Sequence, residues 1–363
     1  MIKFQKIIGF VLIVFLSFFY ACSSSEEDEY INVPLSPVVV DLTAVPYPKL
    51  SDYKFFDGEL KNLTPSYGVI PYKPTSELFS EYALKKRFIW MPNGTKATYN
   101  GDGNILNLPV GAVLIKVFYY NNVQPNNTTY IVETRIMIRK ATGWIFAEYI
   151  WNDQQTEAFL EPNQTNRVIS WKDENNIIQT VDYRTPIVDA DCFRCHGNVT
   201  TFQKIPIGIK PQNLNSNYTY SEGSKNQLSK LVEFGYLENN LPSTIVSTVD
   251  YKDTSKSINL RVRSYFDANC AHCHINDGEA TQFALRFAFN ETTDPVMMGV
   301  GVNAEHFVPG YTGRIVQPNN IGQSILHYRV NTHTDTFYIM PPLGRTVKHN
   351  EGVELIENWI NSL

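Results

Sequence analysis

Four of the five cysteines occur in two short runs of one form, Cys192-Phe193-Arg194-Cys195-His196 and Cys270-Ala271-His272-Cys273-His274. Two thiols separated by two residues can add to two neighbouring vinyl groups, while the next residue turns an imidazole under a metal. That is the chemistry of covalent haem attachment. Zinc binding and dithiol redox chemistry are the competing uses. A zinc ribbon sets its Cys-x-x-Cys pairs about 15 to 20 residues apart, and more than seventy residues separate these two. A thioredoxin-like pair calls for no histidine after its second cysteine, and here one follows both times. The expectation is two covalent haem c groups, attached through Cys192, Cys195, Cys270 and Cys273, with His196 and His274 each binding an iron. Zinc is the remaining alternative.

An electron-transfer iron often has Met as its second axial ligand, which raises the potential. Tyr338-Ile339-Met340-Pro341-Pro342 offers one. Its prolines stiffen the loop and remove backbone donors, presenting Met340 at a fixed place 66 residues after His274. No Met lies between His196 and His274, so the iron on His196 has no such obvious partner. His306, His327, His333, His349, Met91, Met137, Met297 and Met298 are the candidates, with a five-coordinate iron as the alternative. His272, so close to its own cysteines, is expected to face solvent. Arg286, Arg329 and Arg345 are candidate partners for haem propionates.

The elements that must position these groups divide the chain of 363 residues into several parts. Lys3 and Lys6 precede an apolar run from Ile7 to Tyr20, too short for a membrane span of about 20 residues but suited to a secretory signal. Cys22 follows Ala21 where a bacterial lipoprotein signal is cut, so residues 1–21 read as signal and Cys22 as the lipidated first residue. Their removal takes away two lysines and no acid, moving the net charge from −5 to −7. Residues 22–36, with the acidic run Ser23 to Asp28, read as a flexible tether. No basic cluster stands out, which argues against nucleic acid as a partner. Every cysteine is thereby used, and no structural disulfide is expected.

Residues 37–190 read as an all-β, sandwich-like domain. Val110 to Tyr120 is apolar on both faces. Tyr130 to Arg139 alternates, Trp144 to Trp151 follows the turn Thr142-Gly143, and Arg167 to Trp171 and Ile177 to Tyr183 add short strands. Glu77 to Lys85 reads as one short helix. This part has no histidine and no catalytic constellation. Residues 191–250 carry the first motif and a helix opened by the capping box Ser224-Lys225-Asn226-Gln227 and stopped at Gly235. Residues 251–363 read as an α-helical cytochrome c domain. There Ile258 to Asn269 leads into the second motif, and a last helix capped by Asn350 carries Val353, Ile356, Trp359 and Ile360 at helical spacing. The fold class expected is thus a β-domain followed by a helical domain.

Several of these stretches together resemble a bacterial family of two-haem c-type cytochromes of unassigned physiological role, in a lipoprotein form. The resemblance covers most of the mature chain. It rests on Glu133-Thr134-Arg135, Trp151 to Thr156, both Cys-x-x-Cys-His runs, Pro211 to Asn215, Met340-Pro341-Pro342 and Trp359-Ile360. It implies haem c on both motifs and Met340 as the axial methionine of the second. One departure from ordinary small cytochromes stands out: no proline follows His274 until Pro295, so the partner that would orient the His274 ring is unassigned. The function expected is single-electron transfer in the bacterial cell envelope. The protein would be anchored by lipid to the outer membrane or on the periplasmic side, with transient redox proteins as partners. The alternative is a haem enzyme, peroxidase-like or the cytochrome subunit of a dehydrogenase, using an open first iron. A third reading makes the β-rich part a binding module.

Overall fold

The apolar stretches of the first half pair into one large antiparallel sheet. A computed structural model describes residues 34–363; the signal segment 1–21, Cys22 and the run Ser23 to Asp28 lie outside the described residues. Residues Ser36–Leu363 form one compact unit. A small ribbon of β1 (Phe56–Asp57) and β2 (Thr64–Pro65) precedes the sheet. Strand β3 (Ile70–Tyr72) pairs with β4 (Leu84–Trp90), which pairs with β5 (Val113–Val123). A meander then runs through β6 (Thr128–Lys140), β7 (Gly143–Trp151) and β8 (Ala158–Leu160). The hairpin of β9 (Asn166–Lys172) and β10 (Ile178–Arg184) joins the far end of β5 where Val123 pairs with Trp171.

Strand periodicity sends alternate residues to opposite faces, and the two faces differ in kind. One row of cross-strand partners is Phe88, Ile115, Ile136 and Ala147. It packs on Leu50, Tyr53, Phe55 and Leu63 from the preceding segment. Burial of such side chains contributes roughly 1.5–3 kcal/mol each. The row beside it, on the other face, is Arg87, Lys116, Arg135 and Glu148, four charged residues side by side across β4 to β7. Further along that face Ile89, Leu114 and Trp144 pack against Ile209, Leu214, Leu228 and Leu231. Those residues come from the helices that follow the first motif and the loop before them.

The helices are short. α1 (Ala190–His196) carries the first motif. α2 (Pro211–Leu214), the hairpin of β11 (Asn217–Tyr220) and β12 (Gly223–Asn226), and α3 (Gln227–Glu233) follow. α4 (Ile258–Asn269) leads into the second motif, and α5 (Ile325–Asn331) and α6 (Asn350–Ile360) complete the chain. α4 and α6 cross through Val262, Tyr265, Phe266, Ile356, Trp359 and Ile360. Gly352 lies at the crossing, where a Cβ would collide with the hydroxyl end of Tyr265. No helix among the described residues is long and apolar enough to cross a membrane.

The expected fold class is corrected: the last third is not an α-helical cytochrome c domain, because the described chain is mostly β, with three sheets and six short helices. The β-rich part is built on the eight-stranded sheet, with the β1–β2 ribbon before it. Of residues 251–363 only α4, α5 and α6 are α-helical. Between α4 and α5 the chain turns repeatedly at Gly299, Gly301, Gly310 and Gly313, all at positive φ, a conformation no α-helix can propagate. Smaller corrections have equally local causes. Glu77 to Lys85 forms no helix: Glu81 and Tyr82 sit at φ 51° and 60°, and β4 begins at Leu84. The third helix starts later than expected, with Asn226 as its cap accepting from Leu228 N and Ser229 N, because Gly223–Asn226 is already paired as a strand.

Candidate functional site

The first motif ends in a loop that fixes its histidine. Gly197 N donates to Phe193 O at 2.6 Å, Asn198 Oδ1 accepts from Thr200 N and Thr201 N, and the chain returns so that Ile205 N donates to His196 O at 2.8 Å. The His196 ring uses the same residue: Nδ1 lies 2.8 Å from Ile205 O. A carbonyl can only accept, so Nδ1 carries the proton and Nε2 keeps its lone pair. The ring packs edge-on against Phe146 at 4.7 Å. Burial holds its pKa down to about 4, which leaves it neutral and able to bind a metal.

In front of this motif lies a cavity of about 530 Å³, within the usual range for a bound cofactor. Cys192, Cys195 and His196 line one side, and Lys116, Arg135, Met137 and Glu148 of the sheet form another wall. Glu133 takes both nitrogens of Arg135 (2.6 and 3.1 Å) and the hydroxyl of Tyr183 (2.5 Å). Arg87 is matched by Glu77 at 3.3 Å. Lys116 has no carboxylate partner among the described residues; burial, with Arg87 and Arg135 close by, holds its pKa well below the ordinary amine range. Glu148 is the converse. Burial and the nearby Glu133 push its pKa up to about 10, so it is a neutral acid, and both its oxygens are buried without a partner.

The two motifs meet. One ligand atom each of Cys195, His272 and Cys273 lie within 4.8 Å of one another. Cys273 Sγ donates to Arg194 O at 3.5 Å, Arg194 pairs with Glu279 at 3.0 Å, and Thr200 Oγ1 donates to Asp277 at 2.6 Å. The close approach of Cys273, with His272 beside it, lowers the Cys195 thiol, while the same contact raises Cys273. Burial pushes Cys270 up to about 12 and raises Cys192. None of the four is disulfide-bonded. His272 therefore does not face solvent as expected. It is half-buried, lines the first motif's cavity, and its Nδ1 is buried without a partner.

At the second motif α4 delivers Cys270 as its C-cap. Just before it, Asp267 accepts from Lys210 Nζ (3.0 Å), Gln212 Nε2 (3.1 Å) and Asn213 Nδ2 (3.3 Å), and from Phe289 N (3.1 Å). The segment after the first motif and the chain after the second are thus pinned to one carboxylate. His274 packs edge-on against Phe287 at 5.1 Å, and burial lowers its pKa to about 4. Its Nδ1 is buried and unpartnered, so no protein group replaces the missing proline carbonyl. Met340 N donates to Arg329 O at 2.9 Å, and the Arg329 charge is felt at His274. Pro341 and Pro342 line the first cavity. Phe307 and Phe337 are 60% and 79% exposed near this loop, an uncovered aromatic surface beside Tyr338.

The other candidates separate cleanly. His349 spends both nitrogens on Tyr265 (3.0 Å) and Tyr251 (3.3 Å), and His327 is held by Glu357 at 2.7 Å. Met91 and Met298 are core residues, His306 and His333 are exposed, and Met297 is half-buried and absent from the cavity wall. Of the three arginines, Arg286 and Arg345 are tied to backbone carbonyls, whereas among the described residues the Arg329 side chain makes a cation–π contact with Tyr338 and no hydrogen bond. Unforeseen in the sequence were Ile205, Lys116, Glu148 and the Asp267 cluster. One of these carried a visible signal: Lys116 interrupts an otherwise apolar run from Val110 to Tyr120.

The residues fit a covalently held haem at the first motif on three counts. The imidazole is oriented with one nitrogen free, a cavity lies between the two thiols and the sheet, and the Lys116 amine on the cavity wall has no carboxylate partner among the described residues. At the second motif the donors are right, but the orienting partner is missing. Comparisons of the chain with protein-family models, with curated proteins and with solved structures returned no match.

Proposed function

We propose that this protein is a two-haem c-type cytochrome that passes single electrons in the bacterial cell envelope. The observation that carries this reading is the His196 ring, locked by Ile205 O and set beside Cys192 and Cys195 at a cavity of cofactor size. Bound haem supplies the one-electron redox change. The chain's own residues do the rest. His196 and His274, kept neutral by burial, bind the irons. Met340, whose backbone N donates to Arg329 O, would be the second ligand on the His274 side. Arg135 on the sheet wall would offset propionate charge, with the Lys116 amine beside it as a hydrogen-bond donor, and the sheet would cover one side of the first site. Cys22 anchors the mature chain by lipid to the outer membrane or on the periplasmic side. Partners dock weakly through small patches near an exposed haem edge.

One observation favours a second reading. Cys195, His272 and Cys273 are three soft donors close together, a set that also suits Zn²⁺. Haem content decides between the two. The chain is made in a host with cytochrome c maturation, and haem is measured by alkaline pyridine spectrum and intact mass, with zinc measured in parallel. Two covalent haems in the wild type and one each in Cys192→Ala and Cys270→Ala are expected, with the same masses showing diacylglycerol on Cys22. A haem-free chain holding one zinc would overturn the cytochrome reading.

A further inference from the structure

We propose that the contact between Cys195 and Cys273 is the junction of the two haem sites, where an electron crosses from one motif to the other. This inference rests on the two-haem reading and names the route that reading leaves open. In that reading the second thiol of each motif is bonded to a former vinyl group, so each sulfur stands two bonds from the conjugated ring of its own haem. Cys195 Sγ and Cys273 Sγ lie within 4.8 Å of one another. One edge of each ring is therefore brought to this contact, whatever the tilt of either. The argument needs only the thiols, not the axial ligands. The first thiols diverge: Cys192 lines the cavity before the sheet, whereas Cys270 packs against the core where α4 and α6 cross. The two rings so held meet at one edge and leave it toward different surroundings.

The contact is braced by the chain on both sides. Arg194, the residue before Cys195, pairs with Glu279 at 3.0 Å, and its carbonyl lies 3.5 Å from Cys273 Sγ. Val199 N donates to Asp277 O at 2.8 Å, and Thr200 Oγ1 donates to the Asp277 carboxylate at 2.6 Å. Asp267 ties Lys210, Gln212 and Asn213, behind the first site, to the helix that carries the second. The crossing moves one electron from a ferrous to a ferric iron, with no bond made or broken and no proton transferred. External redox proteins supply and remove that electron. Reduction of one site adds negative charge beside the other, so the second electron enters at a lower potential.

The test uses the holoprotein, with haem first counted by pyridine spectrum. Circular dichroism of the oxidised wild type should show a bisignate couplet in the Soret band. Its ferric paramagnetic resonance should be broadened, and the signal that survives half-reduction should sharpen as its neighbour becomes diamagnetic. Cys192→Ala and Cys270→Ala, with one haem each, should show neither effect. The double variant Asp277→Ala/Glu279→Arg removes two braces and sets like charges across the contact; it should keep two haems and shrink the couplet. A two-haem wild type with no couplet, and with ferric signals indifferent to the state of the neighbour, would overturn the proposal. An unchanged couplet in the double variant would place the meeting point elsewhere and overturn the assignment to Cys195 and Cys273. If a variant fails to mature, half-reduction of the wild type still decides whether the sites adjoin. A wild type with fewer than two haems would instead sink the two-haem reading beneath it.

Discussion

The chemistry of single residues here is governed by burial. His349 is the plainest case: it stacks on Phe79 at 4.2 Å, its nitrogens meet two tyrosine hydroxyls, and burial lowers its pKa from 6.5 to about 4. The unfolded chain therefore binds a proton that the folded chain refuses between those two values. Stability from this group is fully present above pH 6.5 and is lost as the pH falls toward 4, by roughly 3 kcal/mol in all. Urea denaturation between pH 7.5 and 4 should show this slope, and His349→Gln should reduce it; an unchanged slope in the variant would assign the effect elsewhere. The same scale shows what was legible beforehand. The thiol and histidine spacing could be read because it is local chemistry. The placement of His272 could not, because it is set by a motif more than seventy residues upstream. Ile205 was equally hidden, since it acts through a carbonyl that every residue possesses.

Elements were legible where their periodicity was strong and misread where charge or glycine interrupted it. The strands Tyr130 to Arg139 and Trp144 to Trp151 appear as β6 and β7, and Ile258 to Asn269 is the helix α4. Strand β4 was missed because Lys85, Lys86 and Arg87 look like a solvated run, whereas Arg87 is buried beneath the cavity. The Glu133-Thr134-Arg135 triplet now has a physical account. Period two puts Glu133 and Arg135 together on the cavity face, and Thr134 on the other, where its hydroxyl takes Trp151 Nε1 at 3.0 Å. The crossing of α4 and α6 depends on an absence of side chain at Gly352. Gly352→Ala forces its methyl into Tyr265, so a loss of roughly 1–3 kcal/mol is expected despite the better helix propensity of alanine. Chemical denaturation reads it directly, and a stabilised variant would show that the crossing relaxes freely.

At the scale of the whole molecule, the expected division into a β part and a cytochrome part meets a dense set of bonds between early and late residues. Ser76 Oγ donates to Val249 O (2.7 Å) and accepts from Tyr251 N (3.1 Å), and Asn269 Oδ1 accepts from Phe79 N at 2.7 Å. Glu81, raised to about 7 by burial, accepts from Thr346 N and Val347 N. These contacts have no local signature, which is why reading the chain segment by segment separated what the fold joins. Residues Ser36–Leu363 should therefore melt in one step, with tryptophan fluorescence from the sheet and visible absorbance at the motifs giving the same midpoint. Two separated midpoints would restore an independent cytochrome unit.

The four hydrogen bonds gathered by Asp267 have a thermodynamic consequence. Lys210, Gln212 and Asn213 belong to the chain behind the first site, while Asp267 itself stands three residues ahead of Cys270 and also holds Phe289 N. A free energy of coupling between two sites is reciprocal. Whatever filling the first site does to the order of this carboxylate cluster, filling the second must return in equal measure. Cooperativity between the two sites would then run through a carboxylate that borders the first cavity and stands just ahead of the second motif.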